Sequence, residues 1–161
     1  MSARFSEGLG IVPLMIIEAS ATGFQSNYIK VNNTHWVSFL VCCGDADTAM
    51  IYTVESSSAN GSNASEIAIP FLFRKSGAAS AGSDTWSAIT TADSTGHTFT
   101  EATDTGKMLV IDINPMDLAE GHNYLRVVLT TTAIAVATMV ASSVVAIYEP
   151  RYPQAEHLST T

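Results

Sequence analysis

The chain has 161 residues, of which 47% are apolar and only 14% are charged, and its formal net charge is −8. An acidic chain whose seven Lys and Arg residues are scattered excludes direct binding to a nucleic-acid backbone, which requires clustered basic side chains. The length is typical of one domain with a sizeable core. A charge content this low is typical of a β-rich domain, or of a surface that neighbouring subunits cover.

The first ten residues, MSARFSEGLG, lack the basic and then apolar layout of a secretory signal. Further along, Cys42 and Cys43 are adjacent, so on a strand they point to opposite faces and do not bridge each other. Two free thiols are typical of a protein made in a reducing cytoplasm.

The clearest local pattern is an alternation of side chains in residues 35–43 and 50–54, on either side of the turn sequence GDAD. In the first run Val37, Phe39 and Val41 share one face. Two alternating runs around a Gly/Asp turn predict a β-hairpin.

The middle of the chain is predicted to contain short strands between Ser-, Gly- and Ala-rich loops. Residues 67–74 alternate as a strand, and Pro70, which cannot donate to a ladder, predicts an edge position or a bulge there. Residues 85–93 and 96–103 are each predicted to contain a short strand.

One helical turn is predicted near residues 115–120, after a strand that covers residues 107–113. Asn114 is suited to be its N-cap, Pro115 its first helical residue and Gly121 its end.

Residues 127–148 contain no charged side chain, and this uncharged run is long enough for a membrane-spanning helix. However, the run is rich in Val, Ile and Thr, has a single Leu, and has no flanking cluster of Lys or Arg. We therefore predict two adjacent antiparallel strands, 124–130 and 138–148, with Pro150 and Pro153 ending the second.

These elements predict an all-β fold: an antiparallel β-sandwich, jelly-roll-like, with one short helical turn. We expect residues 1–161 to form a single domain, in which residues 1–10 are an N-terminal arm and residues 151–161 a C-terminal tail.

No pattern of catalytic or metal-binding residues is present, so we expect neither an enzyme nor a cofactor. The four histidines lack metal-ligand spacing, and Asp45 and Asp47 belong to a turn that needs no calcium to explain it. Cys42 and Cys43, in an apolar strand, are expected to be inert.

The order of segments resembles small proteins encoded in the head gene clusters of tailed bacteriophages, over nearly the whole chain. The segments that carry the resemblance are LGIVPLMIIEASATG, HWVSFLVCCGDADTAMIYTVESS, AIPFLFRKSG with DTWSAIT, GKMLVIDINPMDLAEGHNYLRVVL and VVAIYEPRYP.

This resemblance implies a capsid decoration (cement) protein: a structural virion protein, often trimeric, that binds the exterior of the capsid and stabilises it. Its partners would be the major capsid protein and further copies of itself, and it would be made in the cytoplasm of a host bacterium, with no membrane or nucleic-acid partner. The expected contacts with the capsid or with other subunits are Arg4, Phe5, Arg151 and Tyr152.

Two alternatives stay open. One is a tail, fibre or head-completion component with a recognition role, in which Trp36 or Trp86 would contact host glycans. The other is a small membrane protein anchored by residues 127–148.

Overall fold

The computed structural model describes residues 9–20, 23–43, 49–61, 65–77, 82, 85–131 and 140–150. These residues form two antiparallel β-sheets that face each other across one hydrophobic core. The predicted all-β antiparallel sandwich is confirmed, and the finer jelly-roll description stays a prediction. Of the predicted arm and tail, residues 1–8 and 151–161 lie outside the described residues, and Gly10 already opens the first strand.

Sheet A has six strands in the order β1-β12-β4-β10-β7-β8. Their bounds are β1 Gly10–Ser20, β12 Val140–Pro150, β4 Thr34–Cys43, β10 Met108–Ile113, β7 Phe71–Lys75 and β8 Thr90–Ala92.

Sheet B has the order β2-β11-β5-β6, with β3 also paired to β11 and β9 also paired to β5. Their bounds are β2 Gly23–Gln25, β11 Tyr124–Thr131, β5 Met50–Ser57, β6 Glu66–Ile69, β3 Ile29–Lys30 and β9 His97–Phe99.

Side-chain alternation places the core between the sheets. In β4 the inward residues Val37, Phe39 and Val41 are fully buried, as their shared face predicts, and in β5 Tyr52 and Val54 are buried in the same way. Because strands from both sheets supply such residues, the core is continuous from one sheet to the other.

The predicted hairpin between β4 and β5 is wrong, because the two strands lie in opposite sheets. β4 pairs with β12 and β10, and β5 pairs with β11, β6 and β9. Alternation records which face of a strand is buried, and both sheets of a sandwich bury one face, so it does not distinguish a hairpin from a crossing. The turn residues 44–48 lie outside the described residues.

The strands in residues 127–148 are also in opposite sheets rather than adjacent, with β11 in sheet B and β12 in sheet A. β12 ends at Pro150, as predicted. No helix in the described part of the chain is long and apolar enough to cross a bilayer.

Pro70 lies neither within an edge strand nor at a bulge, but between β6, the edge strand of sheet B, and β7 in sheet A. The single strand predicted for residues 67–74 is therefore two strands. The residue that cannot donate to a ladder marks the crossing between the sheets.

The predicted helical turn is a 3-10 helix, Pro115–Asp117, and it is shorter than expected. Its cap is confirmed, since the side-chain oxygen of Asn114 accepts a hydrogen bond of 3.1 Å from the backbone nitrogen of Met116. A second helical turn, α1 (Glu101–Asp104), follows β9 and was not predicted.

Candidate interaction surface

The most unusual surface is the outer face of sheet A, which points away from the core. One row of side chains crosses four neighbouring strands in register: Pro13, Val145, Leu40 and Val110. Ile11 and Ile147 form a second pair beside it. Val110 is 8% exposed and does not belong to the core cluster, and its neighbours in the register are Leu40 and Arg74.

We call this surface the apolar face. Its charged side chains, among the described residues, are held by partners on the same face. The Arg74 guanidinium carbon lies 5.2 Å from the centre of the Trp86 ring, Ser38 donates to Asp112, and Trp36 Nε1 donates to Glu149 Oε2 at 2.9 Å. The centre of the face therefore presents hydrocarbon to whatever lies against it.

The outer face of sheet B carries a network of charged and polar side chains. At its centre Arg126 Nη2 lies 2.7 Å from Glu55 and 2.8 Å from Glu66, and Arg126 Nη1 donates to Gln25 at 2.8 Å. The guanidinium carbon of Arg126 lies 4.8 Å from the ring centre of Tyr28, and the Tyr28 hydroxyl donates to Glu66 at 2.6 Å.

This network borders a polar cleft of about 500 Å³. Burial and the hydrogen bond to Glu66 raise the pKa of Tyr28 to about 12, so its hydroxyl stays a donor at physiological pH. Because the Arg126 donors are engaged by Gln25, Glu55 and Glu66, the network fastens β2, β5, β6 and β11 together.

A second ionic cluster ties α1 to sheet A. Asp104, 3% exposed, accepts two hydrogen bonds from Lys75 Nζ at 2.9 and 3.1 Å, lies 3.5 Å from Lys107 Nζ, and accepts from the backbone nitrogen of Thr100. Burial raises the pKa of the Asp104 carboxyl, but the Lys75 hydrogen bond, the Thr100 amide and the two lysine charges outweigh it, so the pKa is lowered.

Ser56 Oγ on β5 lies 2.9 Å from Nδ1 of His122, in the loop before β11. Ser56 is completely buried, so a substrate carbonyl has no path to its hydroxyl. The contact fastens the loop before β11 onto β5.

The expected contact residues Arg4, Phe5, Arg151 and Tyr152 all lie outside the described residues, as do Asp45 and Asp47. Among the residues that are described, no group of three His, Cys, Asp or Glu side chains could hold a metal ion. Cys42 is a free, exposed thiol, one residue before the end of β4.

Trp36 and Trp86 both lie on the apolar face, but at opposite ends of sheet A. Trp36 comes one residue before Val37, which pairs with Ile113 at one end of β10. Trp86 pairs with Ser76, which comes one residue after Lys75, the partner of Leu109 near the other end of β10. At about 3.4 Å per residue they are roughly 20 Å apart along the strands. A single sugar ring therefore cannot contact both.

The residues at the centre of the apolar face were not identified from the sequence as a site. The signal was present in β4, where Leu40 and Trp36 give the second face of an already amphipathic strand an apolar character. A strand that is apolar on both faces is typical of a sheet covered on both sides.

No family model matches the chain, and no curated protein matches it. Among solved structures, the crystal structure of SPBc2 prophage-derived protein YomS is similar over 86% of this chain and 94% of that chain, with 10% sequence identity and a TM-score of 0.43. At this identity and TM-score the likeness does not bear on function.

Proposed function

We propose that the protein is a structural virion component that binds the exterior of a phage capsid through the apolar face and stabilises it, without catalysis. The observation that carries this proposal is the apolar row Pro13, Val145, Leu40 and Val110 across the outer face of sheet A, where the outer face of sheet B carries the Arg126 network. Exposed contiguous apolar surface of this extent is typical of a protein–protein contact.

The area of the apolar face suits this role. At about 16 Å² of sheet per residue, the six strands of sheet A cover roughly 750 Å². A standard stable interface covers about 800 Å² on each partner. A capsid subunit lying flat on the whole face would reach that size, whereas contact with part of it would not.

The composition supports the same role. A shell-binding protein requires area and rigidity rather than a reactive pocket, and the sandwich supplies a six-stranded sheet whose charged groups have partners on the face itself. The sequence resemblance to proteins of phage head gene clusters names the major capsid protein as the partner. Self-association, with a trimer favoured, and a location on the virion exterior belong to the same proposal.

The first test is the copy number of the protein in purified particles, by quantitative mass spectrometry against the major capsid protein. A capsid-binding protein is expected in simple ratio to the shell subunit. A handful of copies would instead favour the tail, fibre or head-completion alternative, and absence from the particle would overturn the virion role.

The second test examines the face itself. Ile11→Glu and Leu72→Glu each place a carboxylate on the apolar face. Because the Ile11 side chain is 44% exposed and the Leu72 side chain 45% exposed, both variants are expected to fold. Ile67→Glu is the matched control, because Ile67 is 48% exposed but lies on β6 of sheet B.

We expect the two face variants to bind shells that lack the protein at least about tenfold more weakly in co-sedimentation, since an interface that covers an unpaired carboxylate loses more than about 1.4 kcal/mol. The Ile67 control is expected to bind as the wild type does. Full binding by both face variants would reject the apolar face as the docking surface.

A further inference from the structure

The side chain of His97 is held in an environment that suits only its neutral form. Its ring stacks on Phe73, with the ring centres 4.0 Å apart and the planes at 27°. Its Nε2 atom is buried and has no hydrogen-bond partner among the described residues. A neutral imidazole can leave that nitrogen as an unprotonated acceptor, whereas an imidazolium would bury an unpaired N–H donor.

The charged groups around His97 reinforce this preference. β7 contributes the Lys75 ammonium and α1 contributes the Asp104 carboxylate, which is already engaged by Lys75 and Lys107. From β5, Tyr52 lies opposite His97 in the register. Burial and then Lys75 lower the pKa of His97, and Asp104 opposes them only in part.

The segment that contains His97 is attached through Phe99, which is fully buried in the core against the Tyr52 ring, and through Asp104, which is paired with Lys75. It consists of β9, three residues long, the four residues of α1 and the turn to Lys107. β9 pairs with β5, and α1 is tied to sheet A through Asp104 and Lys75. We call residues 97–107 the latch segment.

We propose that the latch segment is sensitive to pH: it opens when His97 becomes protonated and the imidazole ring leaves Phe73. Opening exposes His97 Nε2, which is buried and unpaired in the closed state, to water. It also moves the His97 imidazolium away from the Lys75 ammonium. The inference is independent of the capsid-binding role, because it rests on contacts among β5, β7, β9 and α1 and not on the apolar face.

The pH range follows from the direction of the shift. A histidine whose pKa is lower in the closed state than in the open state stabilises the closed state at neutral pH, and that contribution is lost as pH falls below the ordinary value of about 6.5. Burial raises the pKa of the Asp104 carboxyl, but Lys75 and the backbone amide of Thr100 outweigh it and lower that pKa further from that of a histidine, so the two transitions are separate.

The test is hydrogen–deuterium exchange of peptides that cover residues 97–107, at about pH 7.5 and about pH 5.5, corrected for intrinsic exchange rates. We expect these peptides to lose protection at the lower pH while peptides from β4 and β10 keep theirs. His97→Phe keeps the stacking on Phe73 and cannot be protonated, so its latch segment should stay protected at both values. His35→Gln is the control, because His35 is an exposed histidine on β4.

Two results would overturn the proposal: equal protection of the wild-type latch segment at both pH values, or the same loss of protection in His97→Phe. If His97→Phe does not fold, the wild type still decides by NMR titration of the His97 ring. A titration midpoint clearly below about 6.5, with the loss of exchange protection following the same midpoint, supports the latch, and a midpoint at or above about 6.5 refutes it.

Discussion

Arg126 and Glu55 are directly opposite each other on β11 and β5, and the guanidinium joins them through Nε at 2.8 Å and Nη2 at 2.7 Å. Since Nη2 also contacts Glu66 on the next strand, one nearly buried cation holds two carboxylates that would otherwise repel each other. The polar face of the sandwich is therefore organised around a single side chain.

Replacing Arg126 with Met is expected to destabilise the fold by about 1 to 3 kcal/mol in urea denaturation. Hydrogen bonds to charged groups contribute in this range, and the partial exposure of Glu55 and Glu66 keeps the loss at its lower end. The triple variant Arg126→Met, Glu55→Gln, Glu66→Gln removes the repulsion as well, so it should recover part of the loss. A single variant as stable as the wild type would show that the network contributes nothing.

Replacing Gly96 with Ala is expected to be more costly than replacing Gly121 with Ala. Both glycines have positive φ, +93° and +81°, so both variants strain the backbone by about 1 kcal/mol. At Gly96 the new methyl group would also overlap the carbonyl oxygen of Tyr52, whereas at Gly121 it meets open space. We expect a further loss of about 1 to 3 kcal/mol at Gly96 alone, measured as the difference in unfolding free energy. Equal losses would contradict the overlap.

Gly10 is expected to be required because the Tyr148 ring lies against its Cα. A methyl group there would overlap the ring, so Gly10→Ala must displace Tyr148 from the end of β12. The loss should be about 1 to 3 kcal/mol, and it should be much smaller when Tyr148→Ala is already present. A double-mutant cycle measures this coupling, and strict additivity of the two changes would argue against it.

Stability should fall in acid partly through Asp104. Because its pKa is lowered in the folded state, its contribution is complete above the ordinary value of about 3.9 and is lost as pH falls through the lower folded value. Asp104→Asn should therefore be less stable than the wild type at about pH 7 and nearer to it at about pH 2.5, in urea midpoints at the two values. A constant difference between the two proteins would exclude this titration.

Local patterns predicted what local physics determines. The buried side chains of β4 followed from alternation, and the Asn114 cap followed from the order Asn-Pro before a short polar turn. The 3-10 helix is short because Leu118 has already returned to an extended backbone.

Those local patterns did not predict which strands pair with each other. β4 and β5 each bury one face in the same way whether they form a hairpin or lie in opposite sheets, and β11 and β12 do the same. The Arg126 network was out of reach for a related reason, since its partners Glu55 and Gln25 lie 71 and 101 residues away in the chain. Of the candidate site, only the apolar second face of β4 was visible in advance.

The pairing of β1 with β12 has a consequence for how the protein is made. β12 lies between β1 and β4, so the first described strand has no neighbour in sheet A until residues 140–150 have left the ribosome. The sheet therefore closes only once β12 is available, and its long-range pairings favour slow folding. During translation β1 and β4 carry unpaired edges, and nascent chains that stop short of β12 are expected to depend on chaperones to stay soluble.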